Sequence, residues 1–317
     1  MKGPFALLGA TWTLVGGVYG WGAVGHQAIG YIAMQFLSPK ALELVQTSLG
    51  TTYSGSLGPA APWADQVRSL PAYSWSAPYH FVDSEDNPPT SCSVSESRDC
   101  GNGACVLGAI ANYTMRVVDA GLSDMQRQEA LKFLDHFIGD VTQPLHVEAR
   151  ALGGNQISVR CNGASTSLHA MWDTGIITKF LVTNYSNSVT TWADALAARL
   201  KSRAFNGAPV SSFVSCSSVT EPVKRSIYSD IATLSSLNSD ALDSRTITPL
   251  ACPLAWAQDA NKLDCSYVFK YTPGTDLCTG SYYDGAVPII ETQIAKAGYR
   301  LAGWLNVLFD GTLGLPH

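Results

Sequence analysis

Five of the six histidines in this sequence stand where a metal ion would want them: His26, His80, His136, His146 and His169. The sixth, His317, is the last residue. His80, His136, His146 and His169 each have a carboxylate or another histidine at or near ligand spacing. His136 and Asp140 are four apart, as are His169 and Asp173. On a helix that spacing stacks two side chains on one face, one turn above the other. Imidazole nitrogen with carboxylate oxygen is a ligand mix for zinc. A scattered histidine is more often a structural residue. Here almost the whole complement follows one pattern, which points to a multi-metal site.

Five segments carry the chemistry. They are Trp21 to His26; Pro62 to Arg68, with Asp65; Tyr79 to Pro89, with His80, Phe81 and Asp83; His136 to His146; and Leu168 to Asp173. Singly, each has a plain reading. Asp65 could cap a helix, His80 could be a core imidazole, and His169 with Asp173 could be a surface ion pair. The combination in this order is far more specific than any one segment.

The elements that must position these residues are mostly helical. Residues 25–37 place Ile29, Ile32, Ala33, Phe36 and Leu37 at helical spacing. Ser38 and Pro39 open a second helix, and Gly50 follows its end. Residues 104–120 and 123–143 read as helices, the latter capped by Ser123 and stopped by Pro144. Residues 189–205 and 287–309 are two more. The last carries Ile290, Ile294, Ala297, Leu301, Leu305 and Leu308 along one stripe. Gln156 to Arg160 alternates and reads as half of a hairpin. The expected fold class is therefore all-α, mainly helical with a short β-hairpin. Residues 206–253, rich in Ser and Thr, fit no pattern and read as an extended surface insertion.

A 317-residue chain with 46% hydrophobic residues can bury a large core. No linker, internal repeat or low-complexity tract divides it, so residues 21–317 read as one catalytic domain. Residues 1–20 read as a secretory signal: Lys2 is followed by a short apolar run, and Val18 and Gly20 sit where a signal peptidase reads. The run is too short, and too broken by glycines, to span a bilayer. Cleavage after Gly20 would make Trp21 the first residue. Its free amine and its carbonyl would then form a bidentate chelate. No other stretch is apolar enough to cross a membrane, so a secreted, extracellular, soluble monomer is expected.

Eight cysteines fit an oxidising compartment. Cys100 and Cys105 could close a small loop, and none of the eight forms a C-x-x-C zinc ribbon. Asn112 and Asn184 begin glycosylation sequons. The net charge is −5, and removal of Lys2 makes it −6. A protein that grips nucleic acid through basic patches would be positive. If this one handles nucleic acid, bound cations must supply most of the attraction for phosphate.

Taken together, the five segments resemble the zinc-dependent, single-strand-specific nucleases secreted by fungi, which have relatives in plants and protists. The resemblance covers nearly all of the chain after residue 20, apart from about 206–253. It is most specific at His136, Asp140 and His146 around Gln143-Pro144-Leu145. It extends to Trp256 to Asn261 and Ile294 to Ala302. It implies a trinuclear-zinc fold of the nuclease and phospholipase C kind, with three Zn²⁺ per chain. One zinc would be held by Asp65, His80, His136 and Asp140. A second would be held by the Trp21 amine and carbonyl, His26 and a bridging Asp140. The third would be held by His146, His169 and Asp173. Arg68 would steady the transition state. Phe81 would stack a base and Asp83 would hydrogen-bond its edge. Cys92 would pair with Cys265, and Cys100 with Cys105. Cys161, Cys216, Cys252 and Cys278 are additional, and the resemblance does not pair them.

The implied substrates are single-stranded DNA and RNA, and 3′-nucleotides, with 5′-phosphate products. The chemistry is coherent in itself. A phosphodiester repels hydroxide, and paired zinc ions both neutralise it and acidify water near neutral pH. Three carboxylates leave three Zn²⁺ with a net positive site. Single-strand specificity follows if a base must leave its stack to lie on Phe81. Two alternatives differ in class. A zinc-dependent phospholipase C would share the fold and the leading tryptophan, but that family carries Glu where Asp173 stands. A non-catalytic secreted metal-binding protein would show a lost ligand, and none is lost.

Overall fold

The structure is a computed structural model, and it describes residues 21–101, 103–216 and 251–315. The expected signal at 1–20, most of the expected insertion (217–250) and His317 lie outside the described residues.

Helices dominate. They are α1 (Ala23–Met34), α2 (Pro39–Leu49), α3 (Leu57–Ala60), α4 (Trp63–Val67), α5 (Glu96–Asp99), α6 (Val106–Arg116) and α7 (Asp124–Asp140). They continue with α8 (Leu168–Ala170), α9 (Ile176–Asn184), α10 (Val189–Lys201), α11 (Ala251–Leu263) and α12 (Gly280–Asp310). Among the described residues, two antiparallel hairpins interrupt them. β1 (Ser158–Cys161) pairs with β2 (Ala164–Ser167), Ser158 opposite Ser167. β3 (Ala204–Phe205) pairs with β4 (Ala208–Pro209).

Local chemistry sets the boundaries. At the start of α7 the Ser123 hydroxyl accepts from Gln126 N, and the Gln126 side chain accepts from Ser123 N. This capping box satisfies two otherwise orphaned donors. Pro144 then opens a single 3₁₀ turn, Pro144–Val147, that carries His146. The hydrophobic face of α7 packs Phe133 and Phe137 against Tyr113 of α6, with the Tyr113 and Phe133 rings stacked at 4.7 Å. The adjoining face of α7 carries His136 and Asp140 toward His26 of α1 and Asp65 of α4. α12 runs across the molecule against α1, α2, α7 and α9.

Several expected boundaries shift. α12 begins at Gly280, seven residues before the expected 287, and continues through Pro288. The carbonyl of Pro288 is taken by Thr292 Oγ1 at 2.6 Å and by Asn206 Nδ2 at 3.2 Å. α11 was not anticipated as a helix. Pro253 near its start looks like a breaker, but a first turn tolerates proline because its N–H would be unpaired there anyway. Only the two ends of the expected insertion fall on described residues. Residues 206–209 turn and pair in the second hairpin, 210–214 form a 3₁₀ turn, and α11 begins at Ala251.

Three disulfides form: Cys92 to Cys265 and Cys161 to Cys278 tie distant segments, and Cys100 to Cys105 closes a small local loop. The third links β1 to the segment before α12, a pairing that sequence alone did not reveal. Asn184 ends α9 and is exposed, whereas Asn112 lies within α6 with 9% of its surface open.

Candidate metal centre

α7 supplies the centre with its axis of reference. His136 and Asp140 lie on one face of this helix, with His136 Nε2 3.2 Å from Asp140 Oδ2. The second Asp140 oxygen faces a different histidine, with Oδ1 3.2 Å from His26 Nε2. His80 Nδ1 approaches Oδ2 at 3.0 Å. One carboxylate thus turns one oxygen to His26 and the other to His80 and His136, the geometry of a bridging ligand. α1 can bring His26 this close because Gly139 has no side chain. A Cβ there would sit 2.8 Å from His26 Nδ1. The His26 and His136 rings stack with centroids 3.7 Å apart.

α4 contributes Asp65, whose Oδ1 is 3.7 Å from both His80 Nδ1 and His136 Nε2. Arg68 extends from the end of the same turn, with Nη1 3.6 Å from Asp65 Oδ1. A separate group forms where α8 meets the Pro144–Val147 turn. There His169 Nε2 is 3.0 Å from Asp173 Oδ2, and the His146 and His169 rings stack at 5.0 Å. Among the described residues, potential ligand atoms within 4.8 Å of one another form three buried groups: His26, Asp65 and His136; His80, His136 and Asp140; and His146, His169 and Asp173.

The backbone fixes which ring nitrogen faces inward. His136 Nδ1 lies 2.7 Å from Ala61 O, His146 Nδ1 2.8 Å from His80 O, and His169 Nδ1 2.7 Å from Gly153 O. A carbonyl only accepts, so each Nδ1 carries the proton and each Nε2 lone pair is left for a metal. Gln143 Nε2 donates to Asp173 Oδ1 at 2.5 Å, which orients that carboxylate. These positioning groups escaped sequence reasoning, except that Gln143 lies in a quoted segment. A backbone carbonyl has no side-chain signature. The one available signal is Gly153-Gly154. Residues 151–154 all have positive φ, and that left-handed turn aims Gly153 O at His169.

The inward atoms fit bound cations. Of these, His26 Nε2, Asp65 Oδ1, Asp140 Oδ1 and His146 Nε2 are buried without a hydrogen-bond partner. Each such atom costs about 1–3 kcal/mol if left unsatisfied, so a concentrated set of them calls for ions. Nitrogen and carboxylate oxygen in groups of three donors suit zinc, which leaves a fourth position open at catalytic sites. Protonation in the metal-free protein shows the same field. Burial alone would raise the Asp140 carboxyl, but His136 and His146 hold it well below the usual range. Burial also opposes the charged form of His136, yet Asp140 and Asp65 raise it to about 9. Burial first, then neighbouring His136, lowers His26.

Trp21 is fully buried, and its indole Nε1 donates to Thr142 Oγ1 at 3.2 Å, two residues past Asp140. The next backbone N–H, on Gly22, donates to Asp173 O at 2.9 Å. Trp21 is thereby held between the α7 end and the Asp173 segment. Phe81 directly follows His80. Its ring is half-buried and is not among the side chains packed on the hydrophobic core. Asp83 is exposed beside it, and its carboxyl is raised by partial burial and by Glu85 and Asp99.

Residues 21–310 match the family model described as S1/P1 Nuclease. The chain is 40% identical to Nuclease PA3 of a Penicillium species over 290 residues, covering 90% of this chain and 97% of that one. It is 39% identical to Nuclease P1 of Penicillium citrinum over the same shares. It is 37% identical to Nuclease S1 of Aspergillus oryzae, covering 94% of this chain and 95% of that protein. A match over residues 21–310, together with these identities, makes this chain a member of the S1/P1 nuclease family.

Proposed function

We propose that this protein is a secreted endonuclease that hydrolyses single-stranded DNA and RNA with three zinc ions and leaves 5′-phosphates. The observation that carries the reading is Asp140, whose two oxygens face two different histidine groups while a third group lies alongside. Asp65, His80, His136 and Asp140 would hold one zinc. Trp21, His26 and Asp140 would hold the second, and His146, His169 and Asp173 the third. Bound zinc would supply water acidified near neutral pH and positive charge for the phosphate.

The chain's own residues do the rest. The Arg68 guanidinium, aligned by Asp65, offers planar donors to the non-bridging phosphate oxygens as negative charge grows there. Phe81 offers a ring face that the core does not use, and Asp83 offers an acceptor to the edge of a base. A base can reach them only when unstacked, which selects single strands and the ends of 3′-nucleotides. Nothing in this arrangement reads a 2′-hydroxyl, so DNA and RNA are both substrates.

Metal analysis of the processed protein, together with product analysis on a single-stranded oligonucleotide, tests the proposal. Three zinc per chain and 5′-phosphate ends are expected. One zinc or fewer per active chain, or 3′-phosphate ends, would overturn it.

A further inference from the structure

Three disulfides account for six of the eight cysteines, leaving Cys216 and Cys252. The fold sets these two side by side. Cys216 follows the turn Val210–Val214, and Cys252 lies in the first turn of α11. The Cys252 thiol is directed at the Cys216 carbonyl oxygen. Such proximity is the first geometric requirement of a disulfide. Their surroundings are also charged. Arg300, 4% exposed, donates through Nε to Phe213 O at 2.9 Å and through Nη2 to Asp259 Oδ2 at 2.9 Å. Its Nη1 has no hydrogen-bond partner, and both cysteines interact favourably with its charge. A guanidinium beside sulfur favours the thiolate, the form that attacks a disulfide.

We propose that Cys216 and Cys252 form a fourth disulfide, made by exchange with an oxidising disulfide, and that Cys216 reacts first. Order follows from access: Cys216 is half-buried and Cys252 is fully buried. The Cys216 thiolate attacks one sulfur of the oxidant, a protein disulfide or glutathione disulfide, and expels one thiolate. The Cys252 thiolate then attacks the Cys216 sulfur of that mixed disulfide and expels the rest. Two protein thiols lose two electrons and two protons, and the oxidant disulfide becomes two thiols.

The bond joins the two described ends that flank residues 217–250. It also clamps the first turn of α11 to the Val210–Val214 turn. That helix matters to the centre. Asn261 of α11 donates through Nδ2 to Val147 O at 3.0 Å, one residue past His146. The bond therefore braces, through α11, the turn that presents His146.

Peptide mapping without reductant tests this, and its outcome does not depend on nuclease activity. The protein, secreted by its own signal, is denatured in iodoacetamide and cut with trypsin. Cleavage after Arg203, Lys224, Arg245 and Lys262 puts Cys216 and Cys252 on separate peptides. The expected product joins peptides 204–224 and 246–262, lighter than their sum by two hydrogens. Both cysteines alkylated without reduction, or either one joined to another cysteine, would overturn the proposal. The Cys252→Ser and Cys216→Ser variants, exposed to glutathione disulfide, test the order. An adduct on Cys216 and none on Cys252 over the same interval is expected, and equal labelling would overturn it. The wild-type map needs no variant, so a variant that misfolds leaves the central test intact.

Discussion

Replacing Gly153 with alanine probes how the His146, His169 and Asp173 group is held. Gly153 has φ +57°, a left-handed conformation that costs alanine about 1–2 kcal/mol. The added Cβ would lie 2.4 Å from Leu145 O, roughly 1 Å inside ordinary contact. It would also meet His169 Nδ1 at 3.3 Å. The closest neighbour is backbone and cannot swing aside, so Gly153 must move. Its own carbonyl is the partner of His169 Nδ1 at 2.7 Å, so the imidazole loses its orientation. Losing an orienting partner of this kind weakens a metal site about 10- to 100-fold, or about 1.4–2.8 kcal/mol. The assay is chelator titration of the zinc-loaded protein with metal counting at each step. One zinc should leave at about 10- to 100-fold lower chelator concentration, while the others leave as in the wild type. Gly163→Ala is the control. Gly163 has φ +81° and nothing within 4 Å of a new Cβ, so it incurs the conformational cost alone and keeps its zinc. The reasoning fails if Gly153→Ala retains zinc like the wild type, or if Gly163→Ala loses it equally.

Three further outcomes are expected. Asp140→Asn keeps the shape but removes the charge that faces two histidine groups, so zinc content and activity on every substrate should both fall; an active, fully loaded variant would refute the bridge. Phe81→Ala should spare zinc and raise KM for oligonucleotides by about five- to a hundredfold, from a lost stack of about 1–3 kcal/mol, while a base-free phosphodiester is unaffected; equal slowing of both would make Phe81 a packing residue. In the metal-free protein His136, raised to about 9, holds a proton at about pH 7.5, whereas His146, pushed down to about 3, does not. Zinc loading there should release a proton from His136, seen as a buffer-dependent heat in calorimetry, and heats independent of buffer would refute this. Because the folded pKa of His136 lies above its ordinary 6.5, its contribution to metal-free stability is full below about 6.5 and is lost as pH rises through about 9.

Much of the fold and the centre was legible in order along the chain. Ser123, Gln126 and Pro144 bound α7 because a capping box and a missing N–H act locally. His136 and Asp140 share a face because 3.6 residues make a turn. Other features were hidden because proximity creates them. Nothing in residues 158–163 or 276–279 signals that Cys161 meets Cys278. α11 was hidden behind Pro253, and the true start of α12 behind Pro288.

Residue order alone carried the candidate ligand types, the helical spacing that pairs them, and the family resemblance. Those are properties of residue chemistry and local periodicity, which survive without a third dimension. Packing alone sets which oxygen of Asp140 faces His26 and which faces His80. It alone decided that Ala61, His80 and Gly153 carbonyls fix three imidazole tautomers, and that Cys216 stands beside Cys252. Every residue has a carbonyl, and only packing brings one carbonyl within hydrogen-bond reach of a particular ring.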